Sequence, residues 1–148
     1  LGVFGGQVRR PCRHAACVLN TDVSSGRGKH WVAIHVDMRP AGEDPWTLAY
    51  YNSAGNPPAP TVTEWLTKSS TALLAFRKQH QDLYGDGDVY PMSLTDTRHQ
   101  DSQTECGPYA LFFVRSCLDG DPPSKFIGTS IPDSVMIEFR KHLFREDF

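Results

Sequence analysis

Cys106–Leu118 reads CGPYALFFVRSCL. Its interior is apolar, and Pro108 falls in what would be a first helical turn, where a missing N–H loses no intrahelical bond. This is a helix, entered from the polar loop Thr95–Glu105. Working outward from it, the best strand is His30–Met38 (HWVAIHVDM), dense in β-branched and aromatic residues. Thr47–Tyr51 is the next strand, after a loop carrying Gly42 and Pro45, and Asn52–Pro60 (NSAGNPPAP) breaks the chain behind it. Ala15–Asn20 is a short apolar run expected as a buried strand, and Ser24–Lys29 (SSGRGK) is a loop. Val89–Leu94 is a short strand that Pro91 confines to a sheet edge or a bulge. Thr61 opens a helix through the capping-box pattern Thr61-x-x-Glu64, with Val62, Trp65, Leu66, Leu73 and Phe76 on one face. Pro132–Phe144 is a last helix whose buried stripe is Val135, Met136, Phe139 and Leu143. Strands in the middle with helices around them predict an α+β fold: a central mixed sheet flanked by helices.

The 148 residues suit one domain with a real core, and 39% apolar against 22% charged residues argues against disorder. Residues 1–14 are expected to be an N-terminal arm and residues 15–148 a single domain. The chain begins at Leu1, so the domain is expected to be excised from a larger protein. A net charge of −2 argues against nucleic acid or an anionic membrane as the main partner. The longest apolar run, Ala110–Val114, is far too short for a membrane span. Four cysteines are too few for a disulfide scaffold, which leaves packed thiols or a reactive one.

Position sorts the cysteines. Cys106 heads a helix, where unpaired N–H groups and the positive dipole end favour thiolate, and Gly107 leaves room for a substrate backbone. Cys117 lies three turns on in an apolar run and reads as packed. Cys12 and Cys17 flank His14, but no second ligand pair follows, so a zinc site is not expected.

A cysteine nucleophile needs a base. His80 and His142 lie near helix ends and should be exposed; His14, His35 and His99 are further candidates. His30 sits at a strand start beside a Gly-rich loop, where a side chain can reach a cleft. His30 and His35, five residues apart on one strand, point to opposite faces. Asp37 would lie about 23 Å from His30 on the opposite face, out of reach. Asn52 closes the neighbouring strand, and its carbonyl could accept from the His30 Nδ1–H. Gln100 and Gln103 both precede Cys106, and either amide could face a developing oxyanion beside the Cys106 N–H.

Gly28-Lys29-His30-Trp31, Tyr50-Tyr51-Asn52-Ser53-x-Gly55 and Gln100-(five residues)-Cys106-Gly107-x-Tyr109 together resemble the SUMO-protease and adenovirus-protease clan of cysteine peptidases, over roughly residues 15–120. That clan reads His-Trp, then Asp, Glu or Asn closing the next strand, then Gln about six residues before Cys-Gly. The resemblance implies a papain-like protease fold, Cys106 as nucleophile, His30 as base, Asn52 as its orienting group and Gln100, over Gln103, as oxyanion donor. The common third residue of the clan is Asp; Asn52 points to the type found in large DNA viruses. Trp31 is either a core aromatic or, as in the clan, the roof of a tunnel over a Gly-Gly segment, with Gly107 below.

The resemblance implies cleavage after Gly-Gly, in a viral polyprotein or at a ubiquitin- or SUMO-like tail. No cofactor, no membrane and no nucleic acid are expected, and a monomer; a chemically committed free thiol points to a reducing cytoplasmic or nuclear setting, in a host cell or a virion. Only 29 residues precede His30, fewer than in cellular SUMO proteases, so the substrate is less determined than the reaction. Val3-Phe4-Gly5-Gly6-Gln7 has the form of such a site, although a flexible arm is the favoured reading. Two rivals share the fold: an acetyltransferase, for which a dense basic pocket is missing, and a non-catalytic binder of ubiquitin-like tails, which would not need Cys, His and Gln together.

Overall fold

A computed structural model gives the fold and describes residues 12–22 and 24–144. Gly5–Gly6 and most of the expected arm lie outside that range. The elements run β1 (His14–Asn20), β2 (Trp31–Asp37), β3 (Trp46–Tyr51), α1 (Pro60–Gln79), α2 (Gln81–Tyr84), β4 (Val89–Leu94), α3 (Cys106–Leu118), a 3-10 turn (Pro123–Phe126) and α4 (Asp133–Leu143). They form a mixed four-stranded sheet in the order β1-β2-β3-β4, with helices on its faces.

The first three strands are antiparallel and β3 is parallel to β4. A parallel neighbour needs a long crossover, and α1 with α2 supplies it. Pro91 falls in the edge strand β4, opposite Leu48, as its missing N–H requires.

β2 is central and buried on both faces, so alternate side chains enter two cores. Val32, Ile34 and Val36 join Leu48, Tyr50, Trp46 and Leu66 beneath α1. Ala33 and Ala49 join Tyr51, Tyr109, Phe113 and Met136 beneath α3. The two alanines let α3 lie close on the sheet, where Tyr51 stacks on Phe113 at 4.6 Å. That packing anchors α3 and so aims its first residue, Cys106, at one end of the sheet.

Several local expectations change. β1 is a half-exposed edge strand, not a buried one, because nothing pairs with its outer side among the described residues. α1 starts at Pro60 with no side-chain cap, so Thr61 and Glu64 form no capping box; Pro60 at the first helical position sets φ and lacks the N–H a cap would satisfy. Trp65 is 47% exposed, and Val135 and Leu143 are also exposed, which leaves Leu66 and Met136 as the buried members of their stripes. His80 is half-buried against Phe76, with ring centroids 4.6 Å apart.

The end of the sheet away from Cys106 is held by a buried arginine. Arg77, 0% exposed, lies over the Trp46 ring and donates to the carbonyls of Tyr84, Asp88 and Gly42. Gly85, at φ 70°, packs so tightly on Gly42 that a Cβ would sit 2.3 Å from its nitrogen. No helix among the described residues is long and apolar enough to cross a membrane.

Candidate active site

Three elements meet at one end of the sheet: the start of β2, the end of β3 and the first turn of α3. His30 lies just before β2, and its carbonyl accepts from the Thr21 N–H at 2.8 Å. Antiparallel pairing of β2 with β3 brings the end of β3 beside it. His30 Nε2 lies 2.8 Å from Asn52 Oδ1.

The surroundings of Asn52 settle the protons. The Ala54 N–H donates to Asn52 Oδ1 at 3.0 Å, so that atom is the carbonyl oxygen, and Nδ2 donates to the Tyr50 hydroxyl at 3.2 Å. An amide oxygen can only accept, so His30 carries a proton on Nε2, which makes Nδ1 the acceptor nitrogen of the neutral tautomer. The expected contact through Nδ1–H is therefore corrected to Nε2–H. The imidazole has two nitrogens, and only the direction from which β3 approaches decides which one meets Asn52. Asn52 itself is 4% exposed. Burial also holds the Tyr50 hydroxyl above its ordinary pKa, against a smaller opposing effect of the Asn52 hydrogen bond, so it stays a neutral partner.

Cys106 is the first residue of α3 and is buried. A Cβ placed on Gly107 would lie 3.7 Å from Trp31 Cδ1, so the indole sits against the helix start. Trp31 is 43% exposed, which removes the core-aromatic alternative. With Cys106, Gly107, Pro108, Leu111 and Gly28 it lines a cavity of about 480 Å³. Glu105, the residue before Cys106, is 5% exposed; its carboxylate pairs with Arg140 at 3.4 Å and accepts from Thr104 Oγ1.

Gln100 is buried at 5% exposure, whereas Gln103 is exposed. Its Oε1 accepts from the Ser53 hydroxyl at 2.7 Å and its Nε2 donates to the Ser102 carbonyl at 2.7 Å. The backbone N–H groups of His99 and Gln100 donate to the Ser53 carbonyl, and the N–H groups of Asp101 and Ser102 donate to Asp133 Oδ2 at the start of α4. The loop before Cys106 is thus gripped from the sheet and from α4.

The other histidines are placed elsewhere. His99 Nδ1 accepts from the Ile131 N–H and Nε2 donates to the Phe126 carbonyl; burial lowers its pKa against that smaller hydrogen-bond effect. His14 and His35 face each other at 3.0 Å on β1 and β2. His35 is 0% exposed, and burial, with the nearby His14, lowers its pKa to about 4. Asp37 is held by Arg39, not by His30. Cys117 is packed as expected, its thiol pushed up to about 12, chiefly by burial. Cys12 is exposed and Cys17 half-buried, and no group of three potential metal ligands occurs among the described residues. Sequence reasoning missed Ser53, Tyr50 and Asp133; only the adjacency of Ser53 to Asn52 hinted at the first.

The model of the Ulp1 protease family, C-terminal catalytic domain, matches residues 12–148. The chain belongs to the Ulp1 protease family. Among Ulp1-family proteins it is 49% identical over 143 residues to the SUMO-1 cysteine protease S273R of African swine fever virus, isolate Pig/Kenya/KEN-50/1950, covering 97% of this chain and 48% of that protein. It is equally similar, 49% over 143 residues and the same shares, to the cysteine protease S273R of isolate Tick/Malawi/Lil 20-1/1983. The crystal structure of the selenomethionine ASFV pS273R protease superposes with a TM-score of 0.76 at 48% identity, over 93% of this chain and 46% of that one. The chain spans about half the length of the curated relatives it matches. The predicted α+β fold, with its mixed sheet of the Ulp1 type, is borne out.

Proposed function

We propose that this Ulp1-family domain is a cysteine endopeptidase or isopeptidase that cleaves after Gly-Gly. The observation that carries the reading is the His30 Nε2–H···Oδ1 Asn52 bond, set at the sheet end where Cys106 opens α3. It leaves His30 Nδ1 as the proton acceptor for the Cys106 thiol. The thiolate attacks the scissile carbonyl carbon; a C–S bond forms and the carbonyl oxygen becomes an oxyanion. The free N–H of Gln100 and the Cys106 backbone N–H hold that charge. His30 Nδ1 then gives its proton to the leaving amine as the C–N bond breaks. Water, deprotonated by the same nitrogen, hydrolyses the thioester and regenerates the thiol. Asn52 keeps the ring in one tautomer throughout.

Trp31 lining one cavity with Cys106 and Gly107 supports Gly-Gly selectivity: a substrate segment passing beneath the indole to reach the thiol is favoured when it carries no side chains. The substrate is a protein: a viral polyprotein, or a ubiquitin- or SUMO-like modifier. The name of the African swine fever virus relative, SUMO-1 cysteine protease, supports a modifier tail among the targets. No cofactor enters any step, and action in a reducing compartment of an infected cell fits a free reactive thiol. The test is a set of Gly-Gly electrophiles: peptides, and ubiquitin and SUMO tails ending in a thiol-reactive group. Adducts at Cys106, absent in Cys106→Ala, are expected; reaction independent of the Gly-Gly sequence contradicts the selectivity.

A further inference from the structure

The geometry points to Ser53 as a positioning residue of the oxyanion site, its hydroxyl pinning the carbonyl end of the Gln100 amide. The inference rests on the reading of Gln100 as the oxyanion donor. A glutamine amide is two-faced: its NH2 end stabilises a developing negative charge, and its oxygen end repels it. Gln100 serves the reaction only if Nε2 is held in place. Ser102 contributes an acceptor for one Nε2 hydrogen at 2.7 Å. Ser53 contributes the donor for Oε1 at 2.7 Å. Since the Ser102 carbonyl can only accept, the Ser53 hydroxyl must donate, and the second Nε2 hydrogen is the one that the reading of Gln100 as oxyanion donor assigns to the substrate.

Ser53 is 1% exposed, so no water replaces its hydroxyl cheaply. The same residue holds the Gln100 backbone: its carbonyl accepts from the His99 N–H at 2.8 Å and the Gln100 N–H at 2.9 Å. It also directly follows Asn52. One dipeptide at the end of β3 therefore carries the acceptor that orients His30 and the anchor that orients Gln100, which keeps base and oxyanion donor in register with each other.

The test is kinetic, with a peptide ending in Gly-Gly-aminomethylcoumarin. Ser53→Ala is expected to lower kcat about tenfold with KM unchanged, a fraction of the 10²–10³-fold loss tied to removing an oxyanion donor outright. In the Gln100→Ala background Ser53→Ala is expected to cost nothing further, because its effect runs through Gln100. Alkylation of Cys106 by iodoacetamide, which expels iodide and forms no oxyanion, should proceed at the wild-type rate in Ser53→Ala. Wild-type kcat in Ser53→Ala, a loss that multiplies with that of Gln100→Ala, or a parallel fall in alkylation would each overturn the inference. Should Ser53→Ala not fold, the isosteric pair Ser53→Thr and Ser53→Val reads the hydroxyl alone: Thr is expected about tenfold faster, and equal rates overturn the assignment. Wild-type kcat in Gln100→Ala would instead bring down the reading of Gln100 itself.

Discussion

Replacing Asn52 by alanine separates orientation of the base from the base itself. The side chain is buried and makes three hydrogen bonds, with the His30 ring, the Ala54 N–H and the Tyr50 hydroxyl. At about 1 kcal/mol for each neutral bond, their loss costs roughly 2–3 kcal/mol of stability, or about 5–10 °C in Tm for a domain of this size. The rate effect is distinct. When the His30 ring takes the thiol proton it becomes cationic, so its bond to Asn52 becomes charge-assisted along the reaction. Against about 1 kcal/mol for the neutral bond, a charge-assisted bond of about 1.5–3 kcal/mol gains about 0.5–2 kcal/mol, which corresponds to a fall in kcat of roughly 2–30-fold in Asn52→Ala. Asn52→Asp keeps acceptors for the His30 and Ala54 N–H donors, while the Tyr50 hydroxyl, which accepts from Nδ2 in the wild type, turns to donate to the second carboxylate oxygen, so activity should be kept. Its added negative charge favours imidazolium, so the acid limb of its kcat/KM profile should move to higher pH. The assay is hydrolysis of the Gly-Gly peptide, corrected for active sites and run below the Tm of each variant. Wild-type kcat in folded Asn52→Ala would refute the orienting role of Asn52.

Gln100→Ala should lower kcat by about 10²–10³-fold while Gln103→Ala stays near wild type, because one amide is buried and anchored and the other exposed; the reverse ranking would move the oxyanion site. Acid should destabilise the fold through His35. Its pKa, about 4 in the fold against 6.5 unfolded, means that the native state excludes the cation. This contribution is fully present above pH 6.5 and falls by about 3 kcal/mol as pH drops to about 4. His14, Asp37 and Arg39 face the ring, and denaturant unfolding of His35→Leu should show a flatter acid limb than wild type; identical limbs would exclude His35. Arg77→Met should cost about 3 kcal/mol or more by orphaning buried carbonyls, with kcat unchanged because it lies at the far end of the sheet. Urea titration and kinetics of the same preparation check both halves.

The parts of the fold that were legible are those in which one local rule dominates. The β-branched run at 30–38, the Pro108 first turn and Pro91 in an edge strand each limit the backbone to few states, and β2, α3 and β4 follow. Amphipathic pattern says which side of a helix is apolar but not how much of it a neighbour covers, so Trp65 and Leu143 lie on the apolar stripes of their helices and yet stay exposed. The residue types of the site could be read from the chain order of His30, Asn52, Gln100 and Cys106. The finer geometry could not. The ring nitrogen that meets Asn52 depends on how β3 approaches, and the Ser53–Gln100 bond spans 47 residues that only the folded sheet brings together.

The central claim is that Cys106 is a nucleophile built for Gly-Gly carbonyls. The most direct measurement is intact-mass and peptide mapping after treatment with a Gly-Gly electrophile and with its Ala-Ala counterpart. A single adduct on Cys106 with the Gly-Gly probe is predicted, lost in Cys106→Ala and slowed in His30→Ala, with little reaction for Ala-Ala. Equal labelling by both probes, or labelling on Cys12 in place of Cys106, would contradict it.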